Sequence, residues 1–518
     1  MSPRASAALP HAALRSVVLP TARPPAITAT RITSLAAQQP EALLAIVRLP
    51  VAARAFARLP DSARWRELNA RSPPRAATVR TTVLGNRRQT LAVLGYLAAD
   101  ASPFERLTLA ARMLKEAAAR SPASIALAAP GSSGAAARGA LEALLAAALA
   151  HAFALPSFRA RTRDERPLKR VLLLDADGLD VRYGAAVARG TNLARWLTAL
   201  PPNILDARSY RAAIARLART HRLSLRWLDE RALRRAGAGA FLAVAGGNGE
   251  HGAGIAHLRY RPARRRGARP DIALIGKGIL FDTGGVNLKT HRSMLDMHTD
   301  MAGSAVALAT LIALSELRAP FAADAWLAIT ENRIGPQAYR PQEVVRAANG
   351  VTIQVIHTDA EGRMVLADTL ALAGRTRPRL MMDFATLTGA CVYSLTERMS
   401  GVFTNRPQLA ATLVDAGRVS GERVWNFPNE PDYDADLDSK VADIQQCSVD
   451  GKGDHILATR FLSRFVPPGS GWVHVDLSSA TRSGGLAHVA TDVTGFGVRF
   501  ALELILGQNV LAALGRRA

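Results

Sequence analysis

The sequence predicts an α/β protein, with a small N-terminal α/β domain and a larger C-terminal domain whose mixed, mostly parallel sheet is sandwiched by helices. Three observations carry this. Short apolar runs of strand length alternate with helix-length patterns along most of the 518 residues. Several of those runs, Ile272–Ile275 and Val351–Ile356 among them, are apolar throughout, as strands covered on both faces require. The same two runs open into glycine-rich, charged loops, and open α/β sheets keep their sites at such strand ends.

Taken in order, residues 1–31 contain no acid, several arginines and much Ala, Ser and Pro. That composition fits a transit peptide or a disordered extension, and the extension is the reading adopted. An N-terminal domain is expected over 32–165, with strands at Thr81–Leu84 and Ile125–Leu127 and helices at Pro103–Ala119 and Ala136–Ala152. The Ala-rich run Leu144–Ala150 is too short to span a bilayer and reads as a core-facing helix, so no membrane partner is expected. The charged stretch Arg159–Arg170 marks a linker, assigned to 166–189, with the apolar run Val171–Leu174 left unassigned to either domain.

Over 190–518, helices are expected near Tyr183–Leu200, Tyr210–Thr220, Ala302–Leu317, Met364–Arg375 and His455–Phe465, with Asp229 capping another. Strands are expected at Phe241–Ala245, Ile255–Tyr260, Ile272–Ile275, Trp326–Ile329, Val351–Ile356, Leu380–Phe384 and Trp472–Leu477. His474, alternating with apolar residues, reads as structural, and His488 as a surface-loop residue rather than the border of a cleft.

Composition narrows the function classes. Apolar content of 49% with 21% charged residues is globular, and the length leaves room for two domains. The net charge of +24 raises a nucleic-acid partner. Its arginines are spread along the chain with few aromatics beside them, and the densest cluster, Arg264–Arg266, reads as an exposed loop. Nucleic acid is a possible partner, not an expected one. Two cysteines, Cys391 and Cys447, build no disulfide framework and fit a reducing, cytoplasmic setting. The motifs C-x-x-C, H-E-x-x-H and G-x-S-x-G are absent, which removes several zinc-site and serine-hydrolase readings.

The chemistry lies in two stretches, Gly276–Gly303 and His357–Arg363. They hold Lys277, Asp282, Asp300, Asp359 and Glu361 as candidate metal ligands, with Lys289 and Arg363 as further cationic groups. Carboxylates gathered at one sheet edge repel unless a cation or proton intervenes, and paired divalent ions serve hydrolysis. Asp359 and Glu361, two apart, share one side of an extended segment and could bridge two ions. The lysines argue independently. Of 66 basic residues only six are lysine, and two of these fall in the proposed site. An amine can lose its proton to become a ligand, whereas a guanidinium cannot. Lys277 is thus expected as a neutral nitrogen ligand and Lys289 as a charged group for a carbonyl oxygen or oxyanion. Singly, each residue has a structural reading: Asp282 could hold the T-G-G turn, and Asp359 could cap a helix with Glu361 in its first turn. Their joint occurrence favours metal chemistry.

These stretches resemble a known family, the leucyl or cytosol aminopeptidases of metallopeptidase family M17. The signature N-T-D-A-E-G-R is matched by His357–Arg363, and G-K-G-x-x-F-D-[ST]-G-G…K…M-x-x-D-M-x-G by Gly276–Gly303. Asn192–Asn203, Gly239–Ala245 and Ala385–Ala390 extend the similarity across most of the chain from about Gly190. The resemblance implies a metallo-aminopeptidase that hydrolyses leucine-like N-terminal residues from peptides with two divalent ions, Zn or Mn, and a bridging water. One ion would be held by Lys277, Asp282, Asp300 and Glu361. The other would take Asp282, Asp359 and Glu361, with the Asp359 carbonyl assisting. Lys289 would stabilise the oxyanion, and Arg363 would anchor a bicarbonate acting as general base. Met297, Thr386, Leu387 and Gly389 match substrate-binding positions, the last two through main-chain groups. A homo-hexamer is implied as well.

Two departures stand out: His357 replaces the signature asparagine, and His298 stands where the family commonly has lysine. Neither removes a ligand. A nucleic-acid-binding protein on a peptidase scaffold and a different two-metal hydrolase, such as a phosphoesterase, are the competing readings.

Overall fold

Alternate residues of each central strand face opposite cores, and this explains why the strands read as continuous apolar runs. The computed structural model describes residues 19–515 except 22, 53–54, 58, 160–165, 250–251 and 266. The first sheet contains β1 (Ala26–Thr30), β2 (Ala42–Arg48), β3 (Val79–Val83), β4 (Leu91–Leu97), β5 (Ser124–Ala128) and β6 (Arg170–Leu174), in the order β1-β6-β5-β2-β4-β3. Only β3 runs antiparallel to its neighbour. Leu44, Ile46, Ile125 and Leu127 face helices α1 (Pro103–Ala118) and α2 (Gly134–His151), while Leu43, Ala45 and Ala126 face a second core around Trp65. A capping box of Ser102 and Glu105 starts α1, with Pro103 at its first position.

Two boundary expectations change here. Strand β1 lies inside the stretch assigned to a disordered extension, because Ala26–Thr30 pairs in parallel with β6; residues 1–18 lie outside the described residues. The run Val171–Leu174, placed in the linker, is a buried strand of this first sheet, between β1 and β5. Helix α3 (Val181–Thr198) follows at once and packs against both α2 and the second half of the chain. Part of the expected linker, 160–165, is outside the described residues.

The second half forms β7 (Ser224–Asp229), β8 (Gly254–Tyr260), β9 (Ile272–Asp282), β10 (Ala323–Asn332), β11 (Val344–Arg346), β12 (Thr352–Gln354), β13 (Leu380–Ala385), β14 (Ser400–Thr404), β15 (Val424–Asn426), β16 (Ile444–Gln445) and β17 (Gly471–Asp476). Eight make one mixed sheet, β15-β14-β17-β13-β9-β10-β8-β7, whose centre β17-β13-β9-β10 is parallel. The others form a three-stranded sheet, β11-β12-β16.

Helices cover both faces. Phe241–Ala245, expected as a strand, lies in helix α4 (Gly239–Ala245), since its apolar residues are needed on one packing face against the helix that carries the family signature. Helix α5 (Ala302–Glu316) packs with α3 on one side; α4, α6 (Glu361–Gly374) and α7 (Asp454–Ser463) lie on the other. Along β9, Ile272, Leu274 and Leu280 face the α5 side, and Ala273, Ile275 and Ile279 the α6 side. The helical run 291–316 is long and apolar enough to cross a membrane, but 83% of its apolar 18-residue window is buried inside the fold, as in a core helix. Its burial comes from close approach. A Cβ on Gly276 would stand 2.5 Å from the Ser304 Cα, so only glycine lets β9 touch the start of α5.

Candidate metal centre

The parallel centre of the large sheet delivers its polar residues to one edge, beyond the carboxyl ends of its strands. Lys277 and Asp282 lie within β9 itself, which continues well past the expected end at Ile275. Asp300 sits just before α5, Asp359 lies in a turn, and Glu361 is the first residue of α6. The expected strand Val351–Ile356 shrinks to β12 in the small sheet. Asp359 and Glu361 therefore do not share an extended segment, and the residue preceding the helix is Ala360, so Asp359 is not its cap.

All five proposed ligands nevertheless converge. Oxygens of Asp282, Asp359 and Glu361 lie within 4.8 Å of one another. Lys277 Nζ donates to Asp300 Oδ1 (2.8 Å) and the Thr386 carbonyl (2.8 Å), and it lies 3.0 Å from Glu361 Oε1. Lys289 Nζ is 2.9 Å from Asp282 Oδ2 and 2.5 Å from Asp359 Oδ1. Four acids thus face two ammoniums, one in each half of the cluster. Glu361 Oε2 is buried with no hydrogen-bond partner. Excess negative charge, a lone buried oxygen and an oxygen-rich donor set with one amine fit divalent cations.

Burial and then Asp282 push the Glu361 pKa up, and burial does the same for Asp300, both against the pull of Lys277. Desolvation disfavours charge on Lys277, but Asp300, Glu361 and Asp282 outweigh it and raise its pKa. Without a metal these surroundings favour the ammonium, and the neutral amine expected from the sequence is the form a bound cation would require. A metal cation would have to displace the Lys277 proton.

A scaffold of polar side chains holds these groups in place. Asn332, at the end of β10, donates to Asp282 Oδ1 (2.8 Å) and the Thr358 carbonyl (3.0 Å). Thr358 Oγ1 donates to the Gly284 carbonyl (2.6 Å), and Thr358 N–H to Asn287 Oδ1 (2.9 Å), which ties the loop after β9 to the turn holding Asp359. Thr358 and Asn287 stand inside the two recognised motifs, while Asn332 could have been found by following the apolar run of β10 to its carboxyl end. The turn reading of Asp282 also holds, since Gly284 N–H donates to its Oδ1 at 2.8 Å. Gly362 is a spacing requirement: a Cβ there would stand 2.6 Å from Lys277 Cε and 2.7 Å from its Nζ. Gly362→Ala is expected to cost about 1–3 kcal/mol by overpacking and to weaken metal binding, as read by urea unfolding and a metal titration. Unchanged binding would mean that Lys277 has room to move.

A cavity of about 320 Å³ lies between α3, α5 and the segment holding Pro24, Pro25 and Ile27, away from the acid cluster. The metal centre instead floors a larger one of about 820 Å³, which also reaches Met297, Thr386, Leu387, Gly389, Val392 and Tyr393. Thr386 is more than a lining residue: its hydroxyl donates to Asp300 Oδ1 (2.7 Å). Leu387 N–H is already given to Asp476 Oδ1 (3.1 Å), and Thr388 Oγ1 donates to Asp476 Oδ2 (2.6 Å). With its N–H so engaged, Leu387 has its carbonyl left for the expected main-chain contact.

Arg363 is buried, and its NH2 donates to both oxygens of Asp454, at 2.8 and 2.7 Å; NH1 donates to the Gln446 carbonyl at 3.3 Å. His357 accepts the Asp359 N–H on Nδ1 (3.2 Å). His474 is structural, as read, with Nδ1 2.6 Å from Asp383 Oδ1. His488 is not on an open loop: it is buried, and desolvation followed by Arg499 and Arg195 drives its pKa well down.

An acid cluster interleaved with lysines, at the carboxyl edge of a mostly parallel sheet and under an open cavity, defines a metallohydrolase. The family model for the cytosol aminopeptidase catalytic domain matches residues 192–502. The chain belongs to that family and is a metallo-aminopeptidase. A probable cytosol aminopeptidase of Syntrophotalea carbinolica is 38% identical over 344 residues, 65% of this chain and 68% of its own length. One from Synechococcus sp. strain CC9605 is 35% identical over 435 residues, 83% and 88% respectively. Among solved structures, the bottromycin maturation enzyme BotP in complex with Mn superposes with a TM-score of 0.79 at 29% identity, covering 90% of this chain and 99% of that one.

Proposed function

We propose that this chain releases N-terminal, leucine-like residues from peptides using two divalent ions, Zn or Mn. Lys277, Asp300, Asp282 and Glu361 would hold one ion, and Asp282, Asp359 and Glu361 the other. Bound ions would supply Lewis acidity and an acidified water at neutral pH. The chain does the rest. Lys289 places its ammonium at the centre, where a developing carbonyl oxyanion needs charge. The Thr386–Gly389 loop, held by Asp476, edges the cavity and orients the substrate backbone. Met297, Ile356 and Val392 give the cavity apolar lining for an aliphatic side chain, whose burial contributes about 1.5–3 kcal/mol.

The observation that carries this reading is the interleaving of four acids with two lysines on one cavity floor. Mn²⁺- or Zn²⁺-loaded protein is expected to cleave leucine amides ahead of acidic or basic aminoacyl amides, and to fall silent with a chelator. Undiminished hydrolysis in an Asp359→Ala, Glu361→Ala double variant would refute the site. A homo-hexamer, measurable by light scattering, and a cytoplasmic location complete the proposal. Two buried free cysteines, Cys391 and Cys447, agree with a reducing compartment. The bicarbonate expected on Arg363 is a separate matter, because Asp454 already occupies one end of that guanidinium.

A further inference from the structure

Arg363 and Asp454 come from different helices, 91 residues apart, yet meet on the wall of the cavity that holds the acid cluster. The Arg363 side chain is 2% exposed, whereas that of Asp454 is 25% exposed. Among the described residues, the only hydrogen-bond donor to either Asp454 oxygen is that one NH2. Each oxygen therefore keeps lone-pair capacity for a water. A purely structural pair has less reason to stand so: an acid in the first turn of α7 gains from the helix dipole without reaching into a cavity.

The other acids on the wall are engaged. Asp282, Asp300, Asp359 and Glu361 face the lysines. Asp476 accepts from Leu387 and Thr388, and Asp450 pairs with Lys452. His357 spends one ring nitrogen on the Asp359 N–H. The carboxylate of Asp454 is left as a partly solvated base, fixed by a buried cation on the wall of the same cavity.

We propose that Asp454, seated on Arg363, is the proton acceptor of the hydrolysis, so that the chain supplies its own carboxylate and needs no external bicarbonate. The step rests on the peptidase reading above. An Asp454 oxygen takes a proton from water as the water oxygen bonds to the scissile carbonyl carbon and the C=O electron pair moves onto oxygen. On collapse that pair reforms C=O, the C–N bond breaks, and the proton passes from Asp454 to the departing amine nitrogen. Asp454 ends as the carboxylate it began as.

The test uses the full chain in CO₂-free buffer. Wild-type hydrolysis is expected to be indifferent to added bicarbonate. Asp454→Ala is expected to lower kcat about 10²–10⁴-fold with KM nearly unchanged, and to regain rate when bicarbonate or formate is added. Asp454→Asn keeps the side-chain volume but not the base, and is expected to stay slow without rescue. A second readout needs no turnover: ¹³C-bicarbonate, followed by NMR on metal-free protein, is expected to bind Asp454→Ala and not wild type. Should the alanine variant fail to fold, the asparagine variant carries the rate test and wild type the binding test. Bicarbonate binding to wild type, bicarbonate activation of wild type, or full activity of either variant overturns the proposal. A wild-type chain that cleaves no aminoacyl amide under any metal overturns the peptidase reading instead, an outcome separable from active but insensitive variants.

Discussion

Lys277→Met is expected to destabilise the metal-free protein by about 3–5 kcal/mol, the range found when one member of a buried ion pair is removed. The Lys277 ammonium is buried between Asp300 and Glu361, themselves among the least exposed acids of the chain. Methionine matches its length but leaves both carboxylates facing each other across an apolar group. Urea unfolding in chelator would read the loss. Divalent metal should restore part of it, because a ligand at 100 times its dissociation constant adds about 2.7 kcal/mol to the folded state. The variant should hold metal more weakly and hydrolyse little. Wild-type stability in chelator would show that Asp300 and Glu361 are held neutral by other means.

Lys289→Met is expected to act differently. Lys289 reaches the centre from the loop after β9 and is less enclosed than Lys277, with its ammonium between Asp282 and Asp359. Removing a preorganised oxyanion partner costs about 10²–10³ in kcat, and KM should barely move, because the charge is needed only as the oxyanion develops. Steady-state kinetics on a leucine amide separate the two parameters. A rise in KM alone would assign Lys289 to ground-state binding.

Much of this arrangement was legible in the chain, for identifiable reasons. The acids and lysines stood out because their chemistry is costly to leave unpaired, and because lysine is so rare here that its placement carries information. Central strands were readable from continuous apolar runs such as Ile272–Ile275. Phe241–Ala245 misled for the same reason: five apolar residues have no visible period, and packing against α6 decided for helix. Val171–Leu174 could not be assigned because allegiance to a sheet depends on partners far away in sequence, here Ala26–Thr30 and Ser124–Ala128. Asp454 escaped notice because a lone acid after Gly451–Gly453 looks like an ordinary first-turn residue. Only the folded chain sets it against Arg363.

The odd-numbered side chains in the first part of β9, ahead of the register shift before Asp282, set a parity for Lys277. Lys277 shares its face with Ala273, Ile275 and Ile279, and β9 pairs residue for residue with β10 from Ile272 to Ile279 and with β13 from Ile272 to Gly276. One amino acid inserted between Ile272 and Lys277 would turn the amine toward α5 and away from the acids, since a single-residue slip exchanges the two faces of a strand. Length changes between Arg261 and Pro270, ahead of β9, would be absorbed before the count begins. The site thus tolerates drift in its approach and none in its last six residues.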